Sequence, residues 1–175
     1  MTQVIADTTL LRYLIEIEAV EVLPALFGQV ITPPAVIHDL QHANTPDAVR
    51  MWIASPPPWL VIQAPSAPYD PALDRLGMGE HEAILLVHEH APAVLVTDDR
   101  GARRTAQARG LRVVGTVWVL ERAAEQGLVD LPAVLTRLLT TNIRLHPAIV
   151  QEARDRDAAR KTATQDHPPN TQETS

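Results

Sequence analysis

The chain contains no cysteine. Disulfides and thiolate metal ligands are therefore excluded, and a reducing compartment is permitted without being demanded. Aromatic residues are few: three Trp, two Tyr and one Phe. The core must be built from Ala, Val, Leu and Ile. Lysine occurs once, at Lys161, among fifteen basic residues, so positive charge is almost entirely guanidinium. No run approaches the ~18 apolar residues of a membrane span. The first residues lack a basic segment followed by a long apolar stretch, so no signal peptide is expected and a cytoplasmic location is. Positive charge is also in deficit overall, with a formal net charge of −6. Such a chain is not a general polyanion binder. Any attraction to nucleic acid has to come from local Arg patches or bound cations.

What remains is enough for one domain. A chain of 175 residues can bury roughly two thirds of its unfolded surface without needing a metal to fold. Short apolar runs alternate with helical periodicity. Residues 3–7 read as a strand ending in Asp7, with Thr8 and Thr9 placed to cap a helix whose apolar positions include Leu10, Leu11, Leu14 and Ile15. A second helix runs from about Val20 to Phe27 and stops at Gly28. Val30–Thr32 is a strand, ended by Pro33-Pro34, with Pro34 opening a helix through Asp39 and Leu40. Trp59–Gln63 is a short strand within a Pro-rich region. A helix follows from Glu80 to about His90, then a strand Ala93–Thr97, a helix Gly101–Arg109 closed by Gly110, a strand Leu111–Val114, and helices to about Gln126, over Pro132–Thr140 and from Pro147 to about Ala159. Alternating strands and helices imply an α/β fold, a three-layer α/β/α sandwich around a mainly parallel sheet. Residues 1–157 are expected to form this domain, and 158–175 a polar, disordered tail.

In open parallel sheets, ligands bind beyond the carboxyl ends of the strands. Acids gather there: Asp7 after the first strand and Asp98-Asp99 after Val94–Thr97. Glu80 and Glu82 begin the intervening helix, and Asp39 lies in the helix after the second strand. Clustered carboxylates repel unless a hard cation such as Mg²⁺ or Mn²⁺ neutralises them. Each acid also has a plainer reading. Asp7 and Asp98 can cap helices, Glu80 and Glu82 can be favourable charges at a helix start, and Asp39 can be a solvated helix position. Residues i and i+2 of a helix lie about 200° apart, so Glu80 and Glu82 cannot both point squarely at one site unless the first helical turn, or a loop before it, lets both approach. The apolar face of Ala83, Ile84 and Val87 favours Glu80.

The order of these segments resembles the PIN-domain family. Ile5-Ala6-Asp7-Thr8-Thr9-Leu10-Leu11 is similar to the first PIN motif. Ile31-Thr32-Pro33-Pro34-Ala35-Val36 with Leu40 resembles the second, Gly79-Glu80-His81-Glu82-Ala83-Ile84 the third in one subfamily, and Val96-Thr97-Asp98-Asp99-Arg100-Gly101 the fourth. The match spans roughly residues 3–157, and the subfamily is one of predicted nucleic-acid-binding proteins related to VapC toxins. The resemblance implies a divalent-metal site and RNA cleavage by the toxin of a type II toxin–antitoxin pair, with a cognate antitoxin and a homodimer as partners. Carried over by position, Asp7 and Asp99 would be ligands, with Asp98, Glu80 and Glu82 as further candidates. Glu82 matches the motif better than Glu80. Asp39 stands where the family usually has Glu. A catalytically weak PIN-like module that binds RNA or protein is the alternative. A phosphoacceptor domain fits poorly, because the Asp-Asp pair comes late and no Lys follows a later strand.

Five Arg lie within thirteen positions from Arg100 to Arg112, uninterrupted by any acid. Of these, Arg100, Arg103 and Arg104 are candidates to guide a phosphate backbone, although a solvated helix face is an equal reading. Most histidines, His81 included, read as surface residues. The three Trp read as packing or interface residues.

Overall fold

The computed structural model describes residues 2–166. Five strands form one sheet: β1 (Gln3–Ala6), β2 (Val30–Thr32), β3 (Leu60–Ile62), β4 (Ala93–Val96) and β5 (Arg112–Val114). Their order is β3-β2-β1-β4-β5, and every neighbouring pair is parallel. β1 is therefore central. The chain leaves it toward β2 and β3, then returns to the other side for β4 and β5. That reversal makes the gap between the carboxyl ends of β1 and β4 the place where helices diverge and a crevice opens.

Side-chain alternation along the strands separates two cores. Val4, Ala6, Val94 and Val96 join one apolar cluster with α1 (Thr8–Glu16), α2 (Val22–Phe27), α7 (Thr116–Glu125) and α8 (Leu131–Leu139). Ile5, Ile31 and Leu95 join the opposite cluster with Ala83–Val87 of α5 (Met78–Glu89) and Ala106 of α6 (Arg100–Ala108). Both faces are covered, giving the α/β/α sandwich. The sheet is wholly parallel, as a sheet buried on both sides favours.

Local signals account for most boundaries. Pro34 opens α3 (Pro34–Leu40) at the position where its missing N–H costs nothing. Gly28 and Gly110, both at φ +70°, turn the chain after α2 and α6 in a conformation unfavourable to other residues. One helix was absent from the sequence reading, α4 (Asp47–Ile53). It buries Val49 and Ile53, one turn apart, and starts after Pro46 with Asp47 in its first turn. A single buried pair gives too little periodicity to register.

The expected tail is corrected in part. Helix α9 (Pro147–Asp166) continues through residues 158–166. Val150, Ala153 and Asp157 are buried along one stripe of it. Asp157 pairs with Arg160 at 2.5 Å and Lys161 at 2.8 Å, and Lys161 reaches Asp130, the N-cap of α8, at 3.3 Å. Charged residues that read as a solvated tail are the ties of a docked helix. The rest of that expectation, residues 167–175, lies outside the described residues. Asp157→Ala removes the buried acceptor from both cations. It should lower unfolding stability by about 1–2 kcal/mol, read as a shift in urea midpoint. An unchanged midpoint would show that the last turns of α9 stand without this tie.

Candidate active site

Register sets the site. Ile5 pairs with Leu95 and Ala6 with Val96, so Asp7 and Thr97 leave the sheet side by side. Asp7 is fully buried. Its extended backbone makes it the N-cap of α1, and one carboxylate oxygen, Oδ1, accepts from Thr9 N at 3.0 Å, Thr9 Oγ1 at 2.8 Å and Leu10 N at 3.1 Å. The other oxygen, Oδ2, is buried without a hydrogen-bond partner. The capping reading of Asp7 is thus correct for one oxygen and leaves the second unexplained. Burial pushes this carboxyl up to about 7, against the lowering effect of surrounding hydroxyls and the Leu10 N–H.

Thr9 ties the two strand ends together. Its hydroxyl donates to Asp7 and accepts the Asp98 N–H at 2.9 Å. Asp98 lines the same edge and is engaged by α7. Its carboxylate accepts from Thr116 N at 3.1 Å and Thr116 Oγ1 at 2.5 Å, holding the start of α7. A Cβ at Gly115 would sit 2.7 Å from Asp98 Oδ1, which explains the glycine. Burial raises the Asp98 carboxyl, opposed by the Thr116 donors and the Arg103 charge. Both Asp98 oxygens already accept from Thr116, which leaves Asp99 the freer of the two adjacent acids.

Asp99 caps α6, accepting Ala102 N at 2.8 Å through Oδ1, while its own N–H donates to Thr97 Oγ1 at 3.1 Å. Thr8, beside Asp7, donates to Asp39 Oδ2 at 3.3 Å. Gly79 is buried where α5 crosses these groups. A Cβ there would meet Asp39 Oδ2 at 2.7 Å and Thr8 Oγ1 at 3.0 Å. Only a glycine lets the helix approach. The next residue, Glu80, is half-buried, and its carboxyl is raised by burial and then by the charges of Asp99 and Asp39. Asp39 of α3 and Asp99 of α6 are therefore near enough to Glu80 of α5 for their charges to act on it. Glu82 does not join them. Its Oε2 accepts Ala35 N at 3.0 Å, at the start of α3 where Pro33 offers no capping side chain. The helical angle between i and i+2 separates the two glutamates, and the motif-based preference for Glu82 is corrected in favour of Glu80.

The arginines divide as well. Arg103 donates to the Thr97 carbonyl at 3.0 Å and so supports the strand end from within, a correction to its role in the expected basic patch. Arg109 pairs with Asp70 at 2.7 Å, and Arg112 lies 6.0 Å from the Trp118 ring centroid. Arg100 and Arg104 are exposed. His81 is buried at 2% exposure rather than superficial. It stacks on Tyr69 at 4.4 Å and accepts Asp70 N at 3.3 Å through Nε2, holding the Pro-rich segment. Asn142 and Arg144 escaped the sequence reading. They wall a groove of about 430 Å³ with Thr9, Tyr13, Asp99 and Arg100. Forty residues separate them from the fourth motif, and no local pattern marks them.

The donor chemistry suits a hard divalent cation. Asp7 Oδ2 is buried without a hydrogen-bond partner, the Thr97 hydroxyl acts to lower the same carboxyl, and Asp39, Glu80 and Asp99 add carboxylate oxygens. Among the described residues no three such side chains are drawn around one point.

A pH test isolates Asp7. From pH 3.8 to about 7 the unfolded chain has released this proton while the folded chain keeps it. The contribution of Asp7 to stability therefore falls as pH rises through that window. Asp7→Asn keeps the cap and removes the charge, at the cost of burying an amide group. In metal-free buffer the variant should exceed the wild type by about 1–2 kcal/mol at pH 8, with the gap closing toward pH 4. Equal urea midpoints at both pH values would show that Oδ2 is not held uncompensated.

No curated protein matches the chain. A family model described as a PIN domain matches residues 3–158, nearly the whole chain. With its wholly parallel sheet, its helices on both faces and its acids at the switch between β1 and β4, the chain belongs to the PIN-domain family, whose members are generally nucleases.

Proposed function

We propose that this protein is a divalent-metal-dependent endoribonuclease, and that it acts as the toxin of a type II toxin–antitoxin pair in the cytoplasm. The observation that carries the nuclease reading is the buried, unpartnered Oδ2 of Asp7 at the carboxyl edge of a PIN-domain sheet. An isolated buried carboxylate is costly unless a cation or donor meets it. Asp7, Asp39, Glu80 and Asp99 are the residues that would hold Mg²⁺ or Mn²⁺. When bound, such an ion activates water and neutralises charge on a phosphodiester under attack.

The chain's own groups divide the remaining work. Thr9 holds Asp7 Oδ1, so the free oxygen is fixed in direction. Thr8 orients Asp39, whose short side chain stands where the family usually has Glu. The α6 cap fixes Asp99 through Ala102 N, leaving its second oxygen for a ligand. Arg100, next to Asp99 and exposed, supplies positive charge for the substrate phosphate. No helix among the described residues is long and apolar enough to cross a membrane. The toxin role, the antitoxin partner and a homodimer rest on the likeness to VapC-related proteins noted in the motifs.

Cleavage of a labelled structured RNA by the pure protein in Mn²⁺ tests the enzyme. Asp99→Asn should lower the rate by at least about 100-fold with an unchanged circular dichroism spectrum. Glu80→Gln should lower it at least about tenfold. Glu82→Ala should retain most activity and instead lose about 1 kcal/mol of stability, because Ala35 N–H loses its acceptor. Robust folding with no cleavage by the wild type would favour the binding-only module. Equal loss in the Glu80 and Glu82 variants would overturn the division between them. Growth arrest on expression, relieved by co-expressing the product of the adjacent reading frame, tests the toxin role.

A further inference from the structure

Helix α6 begins at Asp99 but has little apolar footing. Its buried residues are Ala102 and Ala106, so two methyl groups seat it. α5, which carries Glu80, packs on the same face of the sheet and is seated by Ala83–Val87. A helix seated so lightly takes its position from whatever holds its ends.

At the start of α6, Asp99 caps the helix and Arg103 donates to the Thr97 carbonyl. Leu76 lies 3.4 Å from where a Cβ on Gly101 would stand. At the other end Arg109, the C-cap residue, donates to Asp70 at 2.7 Å. Leu76 and Asp70 belong to one segment, the last part of the connection between β3 and α5. Leu73, between them, is buried in the same cluster as α5. The segment therefore braces both ends of α6 and leads directly into Gly77 and the first turn of α5.

The ties converge on Asp70. Its Oδ1 accepts Ala72 N at 2.9 Å and caps the 3-10 turn Pro71–Leu73. Its Oδ2 takes the Arg109 guanidinium, which holds the Asp70 carboxyl below its usual range, more strongly than the Ala72 N–H does. Its own N–H donates to Nε2 of the buried His81 at 3.3 Å, and His81 follows Glu80 in α5. One residue thus bonds to α5 beside Glu80 and to α6, whose cap is Asp99. The Asp70–Arg109 pair is about a third exposed, at 30% and 33% for the two side chains, and such pairs contribute little to stability. Their effect is on where the helices sit.

We propose that Asp70 is a positioning residue for the acidic site. Through His81 and Arg109 it sets α5 against α6, and so Glu80 against Asp99. Carboxylates that share a hard cation must present their oxygens at fixed distances, and Mg²⁺ tolerates little error. The proposal rests on the nuclease reading only for what the two acids hold.

The experiment separates the tie from the local cap. Asp70→Ser still caps the 3-10 turn but is too short to hold Arg109. Arg109→Met keeps the stem and removes the donor, and Arg109→Lys keeps a donor. The first readout needs no metal. The chain has no cysteine, so Met78→Cys on α5 and Arg104→Cys on α6, both at exposed positions, take nitroxide labels without competition. In EDTA the dipolar broadening between the labels should change in Asp70→Ser and in Arg109→Met, and should return to the parent spectrum in Arg109→Lys. The second readout is the Kd for Mn²⁺ of the unlabelled chain, from the spectrum of free Mn²⁺. Asp70→Ser and Arg109→Met should each weaken it at least fivefold, and the double variant no further than the weaker of the two. Arg109→Lys should stay within twofold of the wild type. Arg50→Gln breaks an exposed ion pair on α4 and should move neither readout. A merely structural role would lower the urea midpoint and leave the dipolar spectrum and the Kd unchanged, which overturns the proposal. Independent, multiplying effects of the two substitutions on the Kd overturn it as well. If the wild type cleaves RNA in Mn²⁺ while neither variant moves the spectrum or the Kd, the nuclease reading stands without the brace. If the spectra respond as expected and the wild type binds no Mn²⁺, the brace stands and the nuclease reading fails alone.

Discussion

The position of one carboxylate governs the site. Asp7 must stand at the end of β1, because its Oδ1 caps α1 and its neighbour Thr9 fastens that cap to the end of β4. The same placement buries Oδ2 without a partner. A helix cap contributes about 1 kcal/mol, while an unpartnered buried charge costs more. The balance shows in the carboxyl itself, which burial raises to about 7. Capping alone does not explain the arrangement. A serine would cap α1 without the buried charge. The cap therefore accounts for Oδ1 and leaves Oδ2 as a buried acceptor at the carboxyl edge of the sheet.

Threonine hydroxyls carry the structural load that lets the acids be free. Thr32 donates to the Ala6 carbonyl at 2.9 Å, linking β2 to β1. Thr9 links β1 to β4, Thr97 receives the Asp99 N–H, and Thr116 grips Asp98. Thr32, Thr97 and Thr116 are all buried. Each satisfies a backbone group or carboxylate that the opening of the sheet would leave exposed to an apolar interior. β-Branched side chains suit strand ends, and the hydroxyl adds a donor and an acceptor in the same volume. Asp98 belongs to this framework. Its neighbour Asp99 caps α6 through Oδ1 and donates its N–H to Thr97 instead.

Much of the fold was legible because its signals are local. Pro34, Gly28 and Gly110 mark boundaries within one or two residues of where the chain turns. The strands announced themselves as apolar runs, since a sheet buried on both faces needs no polar alternation. The acids at strand ends were legible by the same logic. What escaped depends on distant contacts. The last turns of α9, beyond the expected end near Ala159, looked polar because Arg160 and Lys161, the partners of the buried Asp157, read as solvent-facing. His81 looked superficial because nothing local shows that Tyr69 stacks on it. The choice between Glu80 and Glu82 required knowing that α3 begins with a proline that cannot cap it, which leaves Ala35 N–H to recruit Glu82.

The charge distribution then has a single logic. The chain is acidic overall, yet it belongs to a family that acts on a polyanion. Acids at the carboxyl edge repel phosphate as strongly as they repel one another. A cation reverses that sign only within its own few ångströms, since screening confines its reach to about 10 Å at ordinary ionic strength. Positive charge beyond such an ion has to come from side chains. Arg100 and Arg144 stand at the rim of the acidic groove, whereas Arg103 and Arg109 are bound into the fold. A long basic surface would bind polyanions everywhere along the molecule. Exposed guanidiniums beside the acids instead confine positive charge to the rim of that edge.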